Sequence, residues 1–132
     1  MSDPRLGLTV IHRRYVGYNH AHYAGNLVDG AFTLGLFGDV ATEICIRTDS
    51  DEGLFVGYAS VEFLAPVRAG DVVETEGTVT RVGNRSREIT FTSRVVCRGV
   101  AGTDSASQLL ADPILTVRAV GTVVVPSIAT VP

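Results

Sequence analysis

Only one stretch of this chain has the apolar spacing of a long helix, and nearly everything around it alternates like β-strand. From Gly25 to about Arg47, the residues Leu27, Ala31, Leu34, Gly38, Ala41 and Cys45 fall three and four positions apart, the repeat of one helical stripe. Half of that stripe is small. Gly30, Gly35 and Gly38 each cost about 1 kcal/mol relative to Ala inside a helix. A helix that accepts this cost implies close approach to something, and a sheet wrapped around it fits. The polar run Thr48-Asp49-Ser50-Asp51-Glu52-Gly53 then ends the helix.

The flanks set the architecture. Leu6–Tyr15 reads as a first strand and Val16–Ala24 as a polar-aromatic loop. After the helix, Leu54–Leu64 is an apolar strand closed by Pro66, with a turn at Arg68-Ala69-Gly70-Asp71. Val72–Val82 and Ser86–Arg98 alternate apolar and polar residues around Gly83-Asn84, a hairpin signal. Gly99–Asp112 is expected to be a loop and Ile114–Pro126 the last strand. The order strand, long helix, four strands predicts an α+β fold, with the helix packed on a largely antiparallel sheet of about five strands. With no repeat or linker in 132 residues, residues 1–132 are read as one domain.

Composition narrows the function classes. An apolar content of 45% with 19% charged residues argues against disorder, and a mean hydropathy of +0.27 predicts surface buried by further copies of the chain. A net charge of −3 gives no pull toward nucleic acid or anionic lipid. No apolar run reaches the roughly 18–20 residues of a membrane helix, and the start Met1-Ser2-Asp3-Pro4-Arg5 has no signal-peptide pattern. A cytoplasmic protein with reduced thiols at Cys45 and Cys97 is the expectation. All 11 basic residues are arginine. The absence of lysine excludes Schiff-base chemistry on a lysine amine and a Walker A phosphate loop.

Several blocks carry a family resemblance. They are His22-Tyr23-Ala24-Gly25-Asn26-Leu27-Val28-Asp29-Gly30-Ala31, Leu36-Phe37-Gly38-Asp39-Val40-Ala41-Thr42-Glu43, Asp51-Glu52-Gly53-Leu54-Phe55, and Val61-Glu62-Phe63-Leu64-Ala65-Pro66-Val67 followed by Ala69-Gly70-Asp71, Val82-Gly83-Asn84 and Ser86-Arg87. Over roughly residues 20–98 the chain resembles the hotdog-fold 3-aminobutyryl-CoA and β-alanyl-CoA ammonia-lyases. The block from His22 to Glu43 is the narrow part of that signal, whereas Phe63–Asp71 resembles many hotdog proteins. The resemblance implies a sheet curled around a central helix and a lyase that removes or adds an amine at the β-carbon of an acyl thioester. It also implies homodimers that assemble further, with a hexamer possible. Coenzyme A or phosphopantetheine, on an acyl carrier protein in the second case, belongs to the substrate, so neither a separate cofactor nor a metal is expected.

Such a reaction needs a base for the α-proton, donors for the enolate oxygen and an acid–base group for the amine. Gly25 and Asn26, placed at the expected start of the helix, are candidate oxyanion donors; the alternative is a plain turn at Gly25. His22 is the first acid–base candidate, because imidazole titrates near neutrality, or else it is a structural loop histidine. His20 shares the loop, but no third residue has metal-ligand spacing. Asp29 is either the base or a complement to the helix dipole. Glu62, a carboxylate in an apolar strand, is an acid–base group if buried against a helix terminus and otherwise half of an ion pair. Tyr23 and Tyr58 line the substrate pocket or pack in the core. Arg68, Arg81, Arg85 and Arg87 are candidates for the carrier's phosphates, against a solvated strand face, and Glu43 is expected to meet an arginine or a dimer contact. Three other functions compete with the lyase: an acyl-CoA or acyl-carrier-protein thioesterase, a hydratase behind it, and a module that binds the thioester without turning it over.

Overall fold

The computed structural model describes residues 3–126. Its elements run β1 (Thr9–Tyr15), β2 (Leu27–Val28), α1 (Gly30–Asp49), β3 (Leu54–Phe63), β4 (Val67–Arg68), β5 (Val72–Val82), β6 (Ser86–Gly99) and β7 (Ser107–Val124). Short 3-10 turns at Tyr18–His20 and Ala24–Asn26 occupy the loop between β1 and β2. Five strands form one antiparallel sheet in the order β1-β5-β6-β7-β3, and β2 pairs with β4 as a separate small ladder. No helix among the described residues is long and apolar enough to cross a membrane.

The helix starts five residues later than its sequence pattern suggested, at Gly30, and runs to Asp49. Its buried residues are Thr33, Leu36, Phe37, Val40, Ala41, Ile44 and Cys45, a face rotated from the expected stripe; Ala31 is exposed. Small residues carry little hydrophobic signal, so spacing alone assigned Ala31 and Gly38 to the wrong side. The close approach of helix to sheet is nonetheless real, and a strand glycine supplies it. A Cβ on Gly77 of β5 would come within 2.8 Å of Val40 and 3.2 Å of Ile44. By contrast, nothing lies within 4 Å of the Cβ positions of Gly35 and Gly38.

The main core gathers Phe37, Val40, Ala41, Ile44 and Cys45 from α1 over Val79, Ile89, Phe91, Val117 and Ala119 of the sheet. A smaller cluster (Val16, Val28, Leu36, Val67, Val73, Val95) packs around the start of the helix. Ser50 ends α1 in the left-handed conformation, its N–H donating to the Ile46 carbonyl, a common helix stop.

Most strand boundaries match the sequence reading; the first strand starts three residues late, at Thr9. The largest departure is β7. Ser107–Asp112, expected as loop, is strand, and it pairs with the end of β6 through Cys97↔Leu109, Arg98↔Gln108 and Gly99↔Ser107. Only residues 100–106 remain as the connection. Pro113 disguised the strand, and it sits where the register breaks between Val95↔Ile114 and Cys97↔Leu109. An irregularity of this kind is one of the few places where a strand tolerates proline.

Candidate active site

Asp29 is the N-cap residue of α1, immediately outside the helix, with extended backbone and no side-chain capping bond. A capping aspartate normally accepts a bond from the first-turn N–H groups. Here the carboxylate leaves them free and is itself only partly buried. The N–H groups of Gly30 and Ala31 precede the first helical carbonyl able to accept them, so the positive end of the helix stays open beside a carboxylate.

These groups face a cleft of about 630 Å³ lined by Tyr23, Val28, Asp29, Gly30, Ala31 and Thr33 on one side and by Phe63, Leu64, Ala65, Pro66, Val67 and Val117 on the other. Its second wall is strapped down. The Leu64 and Ala65 N–H groups donate to the Thr116 carbonyl at 2.7 and 3.3 Å. Arg98 donates to the Pro66 carbonyl at 3.2 Å and forks onto Asp71 at 3.0 and 2.9 Å. Asp71, 1% exposed, also accepts the Arg68 N–H at 2.8 Å. The Phe63 ring overlies Gly30 so closely that a Cβ there would overlap it.

Gly25 and Asn26 do not start the helix. Both take positive φ, +77° and +61°, in a turn whose Asn26 carbonyl accepts the Ala69 N–H at 2.9 Å. The first N–H groups of the helix therefore belong to Gly30 and Ala31, because the chain passes through the short strand β2 before the helix begins. Tyr23 lines the cleft, and Tyr58 does not. Tyr58 packs on Phe55 and Phe91, with ring centroids 4.5 and 6.4 Å away, and burial raises the pKa of its phenol.

His22 is exposed and meets the edge of the Tyr23 ring at 4.6 Å; it borders the cleft without lining it. His20 turns elsewhere, onto Phe32 at 4.5 Å. Glu62, read as an acid–base group if buried and otherwise as half of an ion pair, is about half-exposed. It pairs with Arg118 at 3.0 Å, directly opposite on β7. Val117 and Ala119 are buried, so Arg118 and with it Glu62 occupy the outer face of the sheet, away from the helix.

The arginines divide similarly. Arg87 is buried on Asp49 at 2.8 Å, which removes it from phosphate binding, and Arg81 leans toward Glu88 at 3.8 Å. Arg85 borders a separate hollow with Asp51, Glu52 and Pro126. Arg68 is exposed next to the cleft wall, in register with Leu27. Glu43 meets Arg47 at 2.8 Å and His12 at 2.9 Å; the His12 bond, with the Arg47 charge, holds its carboxyl below the usual range.

Sequence reasoning missed Thr33 and the wall from Phe63 to Val67, which looked like a fold marker alone. Once α1 is started at Gly30, Thr33 lies four residues after Asp29, on the same side of the helix.

Residues 25–97 match the sequence profile of the thioesterase superfamily. The chain is 55% identical over 107 residues to the 3-aminobutyryl-CoA ammonia lyase of Acetoanaerobium sticklandii, covering 80% of this chain and 85% of that one. Among solved structures it superimposes on the β-alanyl-CoA:ammonia lyase of Clostridium propionicum with a TM-score of 0.86 and 36% identity, covering 91% of this chain and 86% of that one. A hexameric thioesterase from Yersinia pestis shares the fold at a TM-score of 0.73 and 19% identity, over 96% and 93% of the two chains.

Proposed function

The chain belongs to the hotdog-fold ammonia-lyase family of the thioesterase superfamily, and from that premise we propose that it eliminates and adds an amine at the β-carbon of an acyl-CoA thioester. The observation that carries the site assignment is the Asp29 carboxylate, uncapped and partly buried beside the free N–H groups of Gly30 and Ala31 in one cleft.

In the elimination direction the substrate's thioester oxygen accepts bonds from the Gly30 and Ala31 N–H groups. The developing enolate is stabilised there by fixed dipoles. Asp29 takes the α-proton, and the C–H electron pair becomes the new double bond as the bond to the β-ammonium breaks. Ammonia leaves with that bond's electron pair, so charge and protons balance with Asp29 protonated. Asp29 then returns its proton to ammonia or solvent. His22, at the mouth of the cleft, is assigned to this last exchange, because imidazole trades protons near neutral pH. Tyr23 and Phe63 flank the acyl group, and Arg68 is placed on a coenzyme A phosphate. Glu62 has no step in this scheme.

The proposal also includes a second copy. Among the described residues strand β3 is an edge, hydrogen-bonded only to β7, and it carries Leu54, Val56 and Phe63 at 73%, 59% and 58% exposure. An apolar open edge invites strand addition. A homodimer joined there covers the Phe63 side of the cleft, and further assembly, up to a hexamer, follows from the remaining apolar surface. The cytoplasm, where Cys45 and Cys97 stay reduced, is the compartment assigned.

Crotonyl-CoA incubated with ammonia or glycine and followed by mass spectrometry tests the function. A β-amino thioester is expected; free crotonate without adduct would establish a thioesterase instead.

A further inference from the structure

Thr33 has a hydroxyl that makes no hydrogen bond among the described residues. The residue is 2% exposed and lines the cleft. Other threonines of α1 turn their hydroxyls back onto the helix: Thr42 donates to the Gly38 carbonyl at 2.9 Å and Thr48 to the Ile44 carbonyl at 3.0 Å. Thr33 makes no such bond. Its equivalent acceptor, the Asp29 carbonyl, takes the Phe32 N–H at 3.3 Å. Yet no side-chain oxygen among the described residues is both sealed from solvent and unpartnered, so the Thr33 hydroxyl opens into the cleft. A valine would fill the same volume, so packing alone does not call for the hydroxyl.

Position along the helix says which part of a substrate this hydroxyl meets. Gly30 and Ala31 offer N–H groups at the helix end, and Asp29 stands just outside it. Thr33 lies one turn deeper, on the side that continues to the buried Leu36 and Phe37. A thioester held by its oxygen at the helix end, with its α-carbon at Asp29, sends its β-carbon inward past both. We propose that the Thr33 hydroxyl is the amine-binding group of the site. It accepts an N–H bond from the β-ammonium in elimination, and in addition it holds ammonia with the lone pair aimed at the β-carbon. This assignment rests on the lyase reading above and extends it to the one partner that reading left without a contact. Thr33 shares the cleft with the buried side chains of Val28, Val67 and Val117, which suits a small primary amine or ammonia.

The test compares the wild type with Thr33→Val, which keeps shape and removes the hydroxyl, and Thr33→Ser, which keeps the hydroxyl. Each is assayed in the addition direction at varied ammonia and varied crotonyl-CoA. Thr33→Val is expected to raise KM for ammonia about tenfold or more, to leave KM for crotonyl-CoA within about twofold, and to keep thermal stability at or above wild type. Thr33→Ser is expected to restore most of the ammonia KM. Equal ammonia KM in wild type and Thr33→Val overturns the assignment while leaving the lyase reading intact. So does a loss in Thr33→Val that falls equally on both substrates. A wild type that forms no β-amino adduct overturns the lyase reading itself, and the amine contact with it.

Discussion

Arg87 grips Asp49 with two bonds, Nε at 3.2 Å and Nη2 at 2.8 Å to the two carboxylate oxygens, joining the last residue of the central helix to the start of β6. Both side chains are buried, at 2% and 8% exposure. The remaining Arg87 donor, Nη1, reaches the Gly83 and Ser86 carbonyls at 3.1 and 2.8 Å, so the guanidinium also closes the β5–β6 hairpin. Removing one partner of such a pair strands a buried charge, which typically costs 3–5 kcal/mol. Asp49→Asn is predicted to destabilise by about that amount in urea unfolding, and Arg87→Leu by less, because Asp49 keeps a bond from Arg5 Nη1 at 3.1 Å. The double variant is predicted to lose less than the sum.

The same pair sets an acid limit. Burial alone would raise the Asp49 pKa, but the bond from Arg87, with those from Thr48 and the nearby charges, outweighs it and holds the carboxyl below its ordinary 3.8. A depressed carboxyl contributes stability that is complete above the unfolded value and is lost as pH falls through the folded one. Unfolding free energy should therefore fall below about pH 4, and Asp49→Asn should flatten that part of the profile. An unchanged acid slope in the variant would remove Asp49 from the account.

Gly30 and Phe63 carry a further prediction. Alanine is the better helix former by about 1 kcal/mol, so Gly30→Ala should leave the melting temperature within a few degrees. Its Cβ must nevertheless displace the Phe63 ring, which walls the cleft. We predict a drop in kcat/KM of about tenfold, a size set by the sensitivity of positioned reactions to small displacements, with partial recovery in Gly30→Ala combined with Phe63→Leu. Steady-state assays on crotonyl-CoA check both.

For the acid–base groups the prediction is a ranking. Asp29→Asn should lower kcat by a factor of about 10²–10⁴, His22→Ala by about tenfold or less, and Glu62→Gln hardly at all. A strong loss in Glu62→Gln with Asp29→Asn unaffected would reverse the assignment.

The thiols should differ in reactivity. Burial, with the nearby Asp49 charge, pushes the Cys45 thiol up to about 11, and Cys45 is fully enclosed while Cys97 is only partly so. Titration of the native protein with a thiol reagent should modify Cys97 first and Cys45 only on unfolding.

Much of the fold was legible in the residues because its signals are local. Gly83-Asn84 announced its hairpin, and the alternation in Val72–Val82 defined β5 to the residue. What escaped depends on distant partners. Ser107–Asp112 became strand because β6 is long enough to offer it a neighbour, and no local propensity reports that. Glu62 went to the outer face because a strand's side chains alternate, and one position decides between interior and solvent. At the site, Asp29 and Tyr23, chosen because a carboxylate and an aromatic beside a helix start suggest chemistry by type, both line the cleft. Gly25 and Asn26 were misplaced by the five-residue error in that start, and the same error hid Thr33, whose phase relative to Asp29 appears only once the helix is correctly begun.

The open edge of β3 makes the chain's fate a race governed by mass action. A newly folded copy presents a row of unsatisfied backbone groups flanked by Leu54 and Val56, and whichever strand reaches them first sets what the molecule becomes. In the proposed homodimer that edge is covered, and mass action makes the covered fraction rise with protein concentration.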